Sequence, residues 1–454
     1  MNQDAGAGMT ARLVEAVRDL RYEDLPDEAR EAARHCVLDW LGVTIAGAHE
    51  PLVDILVDAV VRPERSEDAA LVGRRERATR PTAALVNGAA GHALDYDDTH
   101  MWMTGHPTAP VLPAILALAE GSAVSGKALL AALVAGIELE CRLGAVLGGG
   151  HYDIGFHATA TLGTFGAAAA CAHLLGLEKG AWQHAMGLAG TQAAGLKSAF
   201  GTMAKPLHAG RAAESGLLSA LLARGGFTSA ADIVEAKQGF AATHAGAAPD
   251  LRVLDGLAGR FLIRDTLFKY HAACYLTHAP IESARRLRAR HAVDPRAVDA
   301  VEVTVAPALL GVCNIAEPKT GLEGKFSLRA TTALALLGED TGALGTYCEA
   351  KMTDPRLVRL RDSARVVTDT GLAPTRARVA VTIGGRRLEE EADSGRPASD
   401  LFEQRSRLRA KFAALVIPVL GAEAAADLAE AALSIDRLVS VDSLLRRAGR
   451  SAAA

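Results

Sequence analysis

Between Ile154 and Leu177 the chain runs mainly through Ala, Gly and Thr without one Asp, Glu, Lys or Arg. A stretch this poor in charge belongs either in lipid or in a protein core. It lacks the Leu, Ile and Phe content that makes membrane insertion favourable, and it carries two histidines, so a buried core helix is expected. The same texture extends over much of the chain. Half of the 454 residues are hydrophobic but only 4% are aromatic. An interior of Ala, Leu, Val and Gly suits closely packed helices, and alanine has the highest helix propensity.

The length exceeds one ordinary compact domain, so two domains are expected. Pro26-Asp27 opens an amphipathic run over Glu28–Ile45, stopped by Gly47. Pro113–Leu147 reads as two apolar helices, and Thr159–Leu175, Trp182–Ala194 and Gly210–Ala223 continue the pattern. After about Leu262 the texture changes. Val298–Ala306 alternates as a strand does, Arg365–Thr368 is a shorter candidate, and Arg376–Ile383 and Arg386–Glu391 flank Gly384-Gly385, a hairpin signal. Helices are expected at Pro280–His291, Phe326–Leu337 and Ala343–Lys351, and helical texture returns from Ser399 to about Arg447. The expected fold is mainly α: a large all-helical domain formed by both chain ends (1–265 and 398–454) and a smaller α+β lid domain (266–397). The tail Ser451–Ala454 is expected to fray.

Charge and cysteine usage exclude several classes. With 53 acidic against 49 basic residues the net charge is −4, which gives no pull toward nucleic acid or anionic membranes. The six cysteines form no C-x-x-C pair, and the polar start MNQDAGAGMT lacks an apolar h-region, so reduced thiols in the cytoplasm are expected. Neither a P-loop nor a strand–G-x-G-x-x-G–helix unit is found.

The densest polar cluster is His92-Ala-Leu-Asp95-Tyr96-Asp97-Asp98-Thr99-His100, followed by Gly105-His106-Pro107 and bracketed by apolar helices. Three carboxylates and three histidines in such surroundings need either a polar cleft or a solvated, capped loop. Gly155-Phe156-His157 precedes the uncharged helix. Gly201 to Arg211 sets Lys205, His208 and Arg211 in a Gly/Pro-bounded turn that enters a helix N-terminus, where N–H groups favour anions. Lys269 to His278 puts Lys269, Cys274 and His278 near the expected domain junction. Taken singly, each has a plain structural reading: a solvated lysine, a hydrogen-bonded turn histidine, a cysteine acting as a small hydrophobe. Together they supply fixed cations and proton-moving imidazoles, which a polyanionic acid requires.

Two other chemistries compete. His100 with His106, or Asp97 with Asp98, offer metal ligands, but no H-E-x-x-H, EF-hand or paired Cys/His spacing accompanies them. Asp95 to Asp98 also fits the D-x-D-D pattern of protonating terpene cyclases. Those enzymes line their sites with aromatic rings, and three Trp, six Tyr and ten Phe are few for that purpose.

At these motifs the sequence resembles the MmgE/PrpD family. The matching stretches are NGAAGHALDYDDTH (87–100), GHPTAPVLPAILALAE (105–120), GFHATATLGTFGAAAA (155–170), GTMAKPLHAGRAAESG (201–216), KYHAACYLTHAPIES (269–283) and GLEGKFSLRA (321–330). The family includes 2-methylcitrate dehydratase, cis-aconitate decarboxylase and iminodisuccinate epimerase. The resemblance implies a helical domain with a small α+β lid, usually as a homodimer, and a lyase that uses no metal or organic cofactor. It implies pocket roles for Asp95, Thr99, His106, His157 and Lys205, with Lys269 and the Cys274/His278 stretch on the next wall. Cys274 stands where the decarboxylase has a histidine, and Arg329 where a tyrosine is common. The loop His100–Thr104 departs from the dehydratase-like pattern.

The expected function is therefore α-proton abstraction and elimination on a small di- or tricarboxylic acid, in the manner of 2-methylcitrate dehydratase. Decarboxylation of the cis-aconitate type and epimerisation of the iminodisuccinate type are the alternatives. A non-catalytic tricarboxylate-binding protein is the reading from another class. In the catalytic reading Lys205, Lys269 and Arg211 hold carboxylates, His106 or His157 is the base, Asp95 orients it, and Thr99 or the second histidine assists the leaving group. His208, Cys274, His278 and Arg329 complete the substrate-binding set.

Overall fold

In the computed structural model, residues 8–246 and 249–449 are described. Most of the polar start and the tail Ser451–Ala454 lie outside them. The chain divides into two compact units, Met1–Phe268 with Ala398–Ala454, and Lys269–Pro397.

The first unit is built around the uncharged stretch. It forms the helix Ala158–Leu174, whose residues from Ala158 through Cys171 to Ala172 are all buried. An apolar helix with no polar stripe must be surrounded, and this one is packed by Gly126–Leu147, Thr108–Ala119, Lys179–Gln192 and Ala204–Arg224. Ala204–Arg224 also crosses Arg80–His92, and small residues set how closely. A Cβ on Gly88 would stand 2.8 Å from the Gly210 Cα, and one on Gly210 would stand 2.1 Å from the Leu85 carbonyl oxygen. Only glycine permits that approach, which brings the C-terminal end of one helix, at His92, beside the start of the other, at Lys205.

The second end of the chain completes the same unit. Asp400 caps Leu401–Leu420 by accepting from the N–H groups of Phe402 and Glu403. This helix packs on Asp27–Gly47. Within the contact the buried Lys411 ammonium donates to Asp39 Oδ1 at 2.6 Å and to the Tyr96 carbonyl at 2.7 Å, and lies 4.1 Å from the centre of the Tyr96 ring.

With Ala69–Ala70 of the first unit as β1 and Arg77–Ala78 as β2, the second unit carries a four-stranded sheet ordered β4-β3-β5-β6, where β3 is Ala300–Val305, β4 Ala364–Thr368, β5 Arg376–Ile383 and β6 Arg386–Asp393. β3 pairs parallel with β4; the other neighbours are antiparallel. Gly384 and Gly385, both at positive φ (55° and 79°), close the expected hairpin. His278–His291 packs on β5 and β6, and Leu328–Leu337 packs on that helix.

The fold is mainly α, as expected from the sequence. Three local readings are corrected. The helical unit is not purely helical, because Ala69–Ala70 pairs with Arg77–Ala78. Ala343–Lys351 is not one helix but a short turn, Leu344–Thr346, and a short helix, Glu349–Met352. Gly345 weakens that segment, and the Thr346 hydroxyl donates to the Asp340 carbonyl. Lys205, His208 and Arg211 lie inside Ala204–Arg224, not in a turn before it. Pro206 is tolerated there because it falls in the first helical turn. Among the described residues no single helix is long and apolar enough to cross a membrane.

Removing one partner of a buried ion pair leaves an uncompensated charge. Lys411→Met is expected to destabilise the protein by about 3–5 kcal/mol in denaturant titration, with Asp39→Asn in the same chain recovering part of the loss. A loss under about 1 kcal/mol would show that the pair does not hold the two chain ends together.

Candidate active site

Helix Arg80–His92 starts at Thr79, whose hydroxyl accepts from the Thr82 N–H, and ends at His92. The chain then turns through Asp95, which adopts a left-handed conformation at φ 50°. Aspartate tolerates that region better than most residues. The turn aims the next carboxylates in opposite directions. Asp97 faces the histidines: both of its oxygens lie 2.9–3.0 Å from His92 Nδ1, and Oδ2 lies 3.3 Å from His106 Nδ1. Asp98 faces the core, where it accepts from the Thr108 hydroxyl at 2.5 Å. Its own carbonyl accepts from His106 Nδ1 at 2.6 Å.

These contacts fix two tautomers. A carbonyl oxygen only accepts, so His106 carries hydrogen on Nδ1, and Nε2 is the nitrogen left to gain or give up a proton. Asp97 is held well below the usual carboxylate range. Burial alone would raise it, but its two imidazole neighbours, His106 and His92, and their hydrogen bonds prevail. As a carboxylate it too only accepts, so His92 is protonated on Nδ1. Burial lowers the His92 imidazole to about 4, against the pull of Asp97, leaving it neutral near pH 7. Its Nε2 is buried and has no hydrogen-bond partner among the described residues. The His92 ring meets His106 edge-on at 4.5 Å and stacks on His157 at 5.8 Å.

The cation arrives from the other helix. Lys205 Nζ donates to Asp95 Oδ1 at 2.7 Å, and that oxygen lies 3.9 Å from His106 Nε2. Phe200 sits between elements, 5.3 Å from the Lys205 ammonium and edge-on to His157 at 5.0 Å. His157 donates its backbone N–H to the Gly195 carbonyl at 3.0 Å, and its Nδ1 meets His208 Nδ1 at 3.1 Å. The Thr99 hydroxyl donates to the Gly105 carbonyl, and the Thr159 hydroxyl accepts from the His106 N–H. Asp95, His106, His157 and Lys205 are thus brought into one cluster, with Thr99 on its supporting loop.

The other expected residues lie elsewhere. Arg211 pairs with Glu214 and lines a cavity of about 510 Å³ with His208, Gln192, Ser198 and Ser215. His100, a candidate ligand by sequence, is fully buried and bonds the Leu262 carbonyl through Nε2. In the second unit Lys269 is buried at 1% exposure, and His278 Nε2 lies 3.3 Å from the Ala273 carbonyl. Burial, with the charges of His271 and Lys269, keeps the His278 imidazole well below its ordinary range. Cys274 is buried against the Cys313 thiol, and Arg329 Nε donates to the Ala364 carbonyl.

His92, Asp95, Asp97 and His106 each offer one ligating atom within 4.8 Å of the others, a spacing that suits a small cation. Protein groups already engage part of the set: Lys205 is on Asp95, and Asp97 accepts from His92 and lies 3.3 Å from His106 Nδ1. The sequence reading missed His92 and Asp97 as orienting residues and Phe200 as a spacer. His92 and Asp97 stood inside the quoted motif, but nothing in the sequence said which carboxylate faces which imidazole.

Residues 11–251 match the family model for the MmgE/PrpD N-terminal domain, and residues 271–437 that for the MmgE/PrpD C-terminal domain. The cis-aconitate decarboxylase of Aspergillus terreus is 31% identical over 304 residues, covering 64% of this chain and 62% of the relative. The Homo sapiens cis-aconitate decarboxylase is 31% identical over 299 residues, covering 64% and 61%. That of Mus musculus is 32% identical over 300 residues, covering 63% and 60%. The chain thus spans about three fifths of the length of these relatives.

Burial raises the Asp98 carboxyl to about 8, against the Thr108 hydrogen bond and with help from the charges of Asp39 and Asp97. Between about pH 4 and about pH 8 the folded chain therefore keeps a proton that the unfolded chain releases, and stability falls as pH rises through that window. Asp98→Asn is expected to remove this contribution, making the slope of unfolding free energy against pH more positive by about 1.4 kcal/mol per unit near neutrality. Urea titrations across the window measure it, and an unchanged slope would mean that Asp98 is ionised in the folded protein.

Proposed function

This chain belongs to the MmgE/PrpD family, and from that premise we propose that it is a lyase acting on a small tricarboxylic acid of the cis-aconitate class by proton transfer beside a carboxylate. The observation that carries the reading is the tautomer of His106. With Nδ1 committed to the Asp98 carbonyl, Nε2 is left as a neutral base or, once protonated, an acid.

In the decarboxylation the bond from carbon to one carboxylate breaks, its electron pair forms a new double bond, the existing double bond shifts, and the far carbon takes a proton. His106 as imidazolium supplies that proton. Asp97 stabilises the charged ring, since its carboxylate lies 3.3 Å from Nδ1. Lys205 leaves Asp95 in part to hold a substrate carboxylate and the developing negative charge. The similarity to three cis-aconitate decarboxylases supports this order of preference.

Dehydration of a 2-methylcitrate-type hydroxy acid is the second reading. Cys274, standing where the resembled decarboxylase has a histidine, and Arg329, standing where a tyrosine is common, weaken the transfer of the decarboxylase activity and leave room for dehydration. The six cysteines are free thiols, which supports a reducing, cytoplasmic setting. The exposed apolar residues Leu196, Met203 and Leu218 support the homodimer that the family resemblance implies.

Proton NMR in D₂O with cis-aconitate, citrate, 2-methylcitrate and iminodisuccinate tests the reading. The expected result is itaconate carrying deuterium from cis-aconitate. A vinylic product from a hydroxy acid would establish the dehydratase, and α-deuteration without net loss an epimerase. His106→Ala and Lys205→Met are expected to lower kcat by about 10²–10⁴-fold, and EDTA to leave turnover unchanged. Folded His106→Ala protein with full turnover would overturn the assignment, and activity lost to EDTA and restored by a divalent ion would give the four-residue cluster to a metal.

A further inference from the structure

His157 and His208 meet Nδ1 to Nδ1 at 3.1 Å. Two ring nitrogens at that distance bond only if one carries hydrogen and the other a lone pair, so the pair holds one shared proton. Its two ends face different surroundings. His157 is 2% exposed, stacks on His92 and belongs to the acid–base cluster. Burial first, and then the charges of His92, Lys205, His106 and His208, keep its imidazole well below the ordinary range, so it does not hold a positive charge for long. His208 is half-buried, and its ring lines the 510 Å³ cavity together with Thr164, Gln192, Ser198 and Ser215. That cavity opens to solvent beside Arg211, whose side chain is 58% exposed.

The backbone around the pair is shaped to hold this contact. Gly195, at φ 150°, accepts from the His157 N–H, and a Cβ on it would stand 2.5 Å from the Ala160 Cβ and 3.3 Å from His208 Nδ1. Both histidines are held by helices fixed in the core: His157 precedes Ala158–Leu174, and His208 lies about one turn into Ala204–Arg224.

We propose that the His157–His208 pair is a proton relay linking the acid–base cluster to the solvent-open cavity. This rests on the proton-transfer reading given above. A proton taken at His157 Nε2, which makes no hydrogen bond among the described residues, displaces the Nδ1 proton to His208 Nδ1. His208 then releases its Nε2 proton to water in the cavity, so one proton enters, one leaves, and both rings end neutral. The reverse passage carries a proton from the cavity into the cluster, replacing the one that His106 gives to the substrate. His208 acts through His157 and is a positioning residue, not a carboxylate ligand.

Two variants separate relay from support. Asn at position 208 keeps a hydrogen-bonding group where Nδ1 stands but passes no proton, and Ala leaves space for an added base. His208→Asn and His208→Ala are expected to lower kcat by about tenfold or more with KM within about twofold. Imidazole is expected to restore the Ala variant, with rates that follow the pKa of substituted imidazoles. Wild-type kcat in His208→Asn, or an Ala variant that imidazole does not rescue, would overturn the relay. A second readout needs no substrate. The shared ring proton, followed by ¹⁵N-detected exchange, is expected to exchange with solvent at least about tenfold more slowly in His208→Asn; unchanged exchange would also overturn it. If the wild-type protein turns over none of the acids, the functional reading fails, and the exchange measurement still decides the relay.

Discussion

The buried ammonium of Lys411 ties the site to both ends of the chain. It comes from a helix near the C-terminus, neutralises Asp39 on a helix near the N-terminus, and bonds the backbone carbonyl of Tyr96 between Asp95 and Asp97. A charge this deep is tolerated only when paired and fully hydrogen-bonded. The carbonyl of Tyr96 is one of its ligands, so the turn that aims the carboxylates cannot move without exposing the lysine to an apolar core. The cooperativity of the first unit and the precision of its site therefore share one cause.

From that anchored turn the electrostatics follow. Burial forces imidazoles toward neutrality and carboxylates toward protonation, and each group departs from that tendency only where a partner is supplied. Asp97 has two imidazoles and stays ionised. Asp98 has one hydroxyl and one N–H, and rises. Glu140, buried with neither oxygen hydrogen-bonded, is raised well above its ordinary value by burial and by Asp98. Neighbouring acids thus have opposite protonation states at one pH, and the protein keeps neutral histidines beside a fixed cation. That is the arrangement proton transfer near a carboxylate needs.

Much of this was legible in the sequence. The uncharged run from Ile154 to Leu177 has one stable place in a folded chain, and it became the central helix. Gly384-Gly385 between alternating segments allowed one kind of turn. The grouping of Asp95, His106, His157 and Lys205 came from the family resemblance of the motifs that carry them. Directions were not legible. Whether Asp97 or Asp98 faces an imidazole depends on the left-handed turn at Asp95, which aspartate adopts only in context. Arg211 shares a motif with Lys205, yet six residues along a helix is more than a turn and a half, enough to carry it into a different cavity. Lys411 is distant in sequence from everything it holds.

The fold commits His106 Nδ1 to a backbone carbonyl and leaves Nε2 as the working nitrogen. Long-range ¹H–¹⁵N correlation spectra of the histidine rings at neutral pH test it most directly. His106, identified by its loss in His106→Gln, is expected to carry hydrogen on Nδ1, so that Nε2 is the nitrogen that gains or gives up a proton. A ring with hydrogen on Nε2 and none on Nδ1 would contradict this, because the nitrogen facing Asp95 and Lys205 would then not be the one free to take a proton.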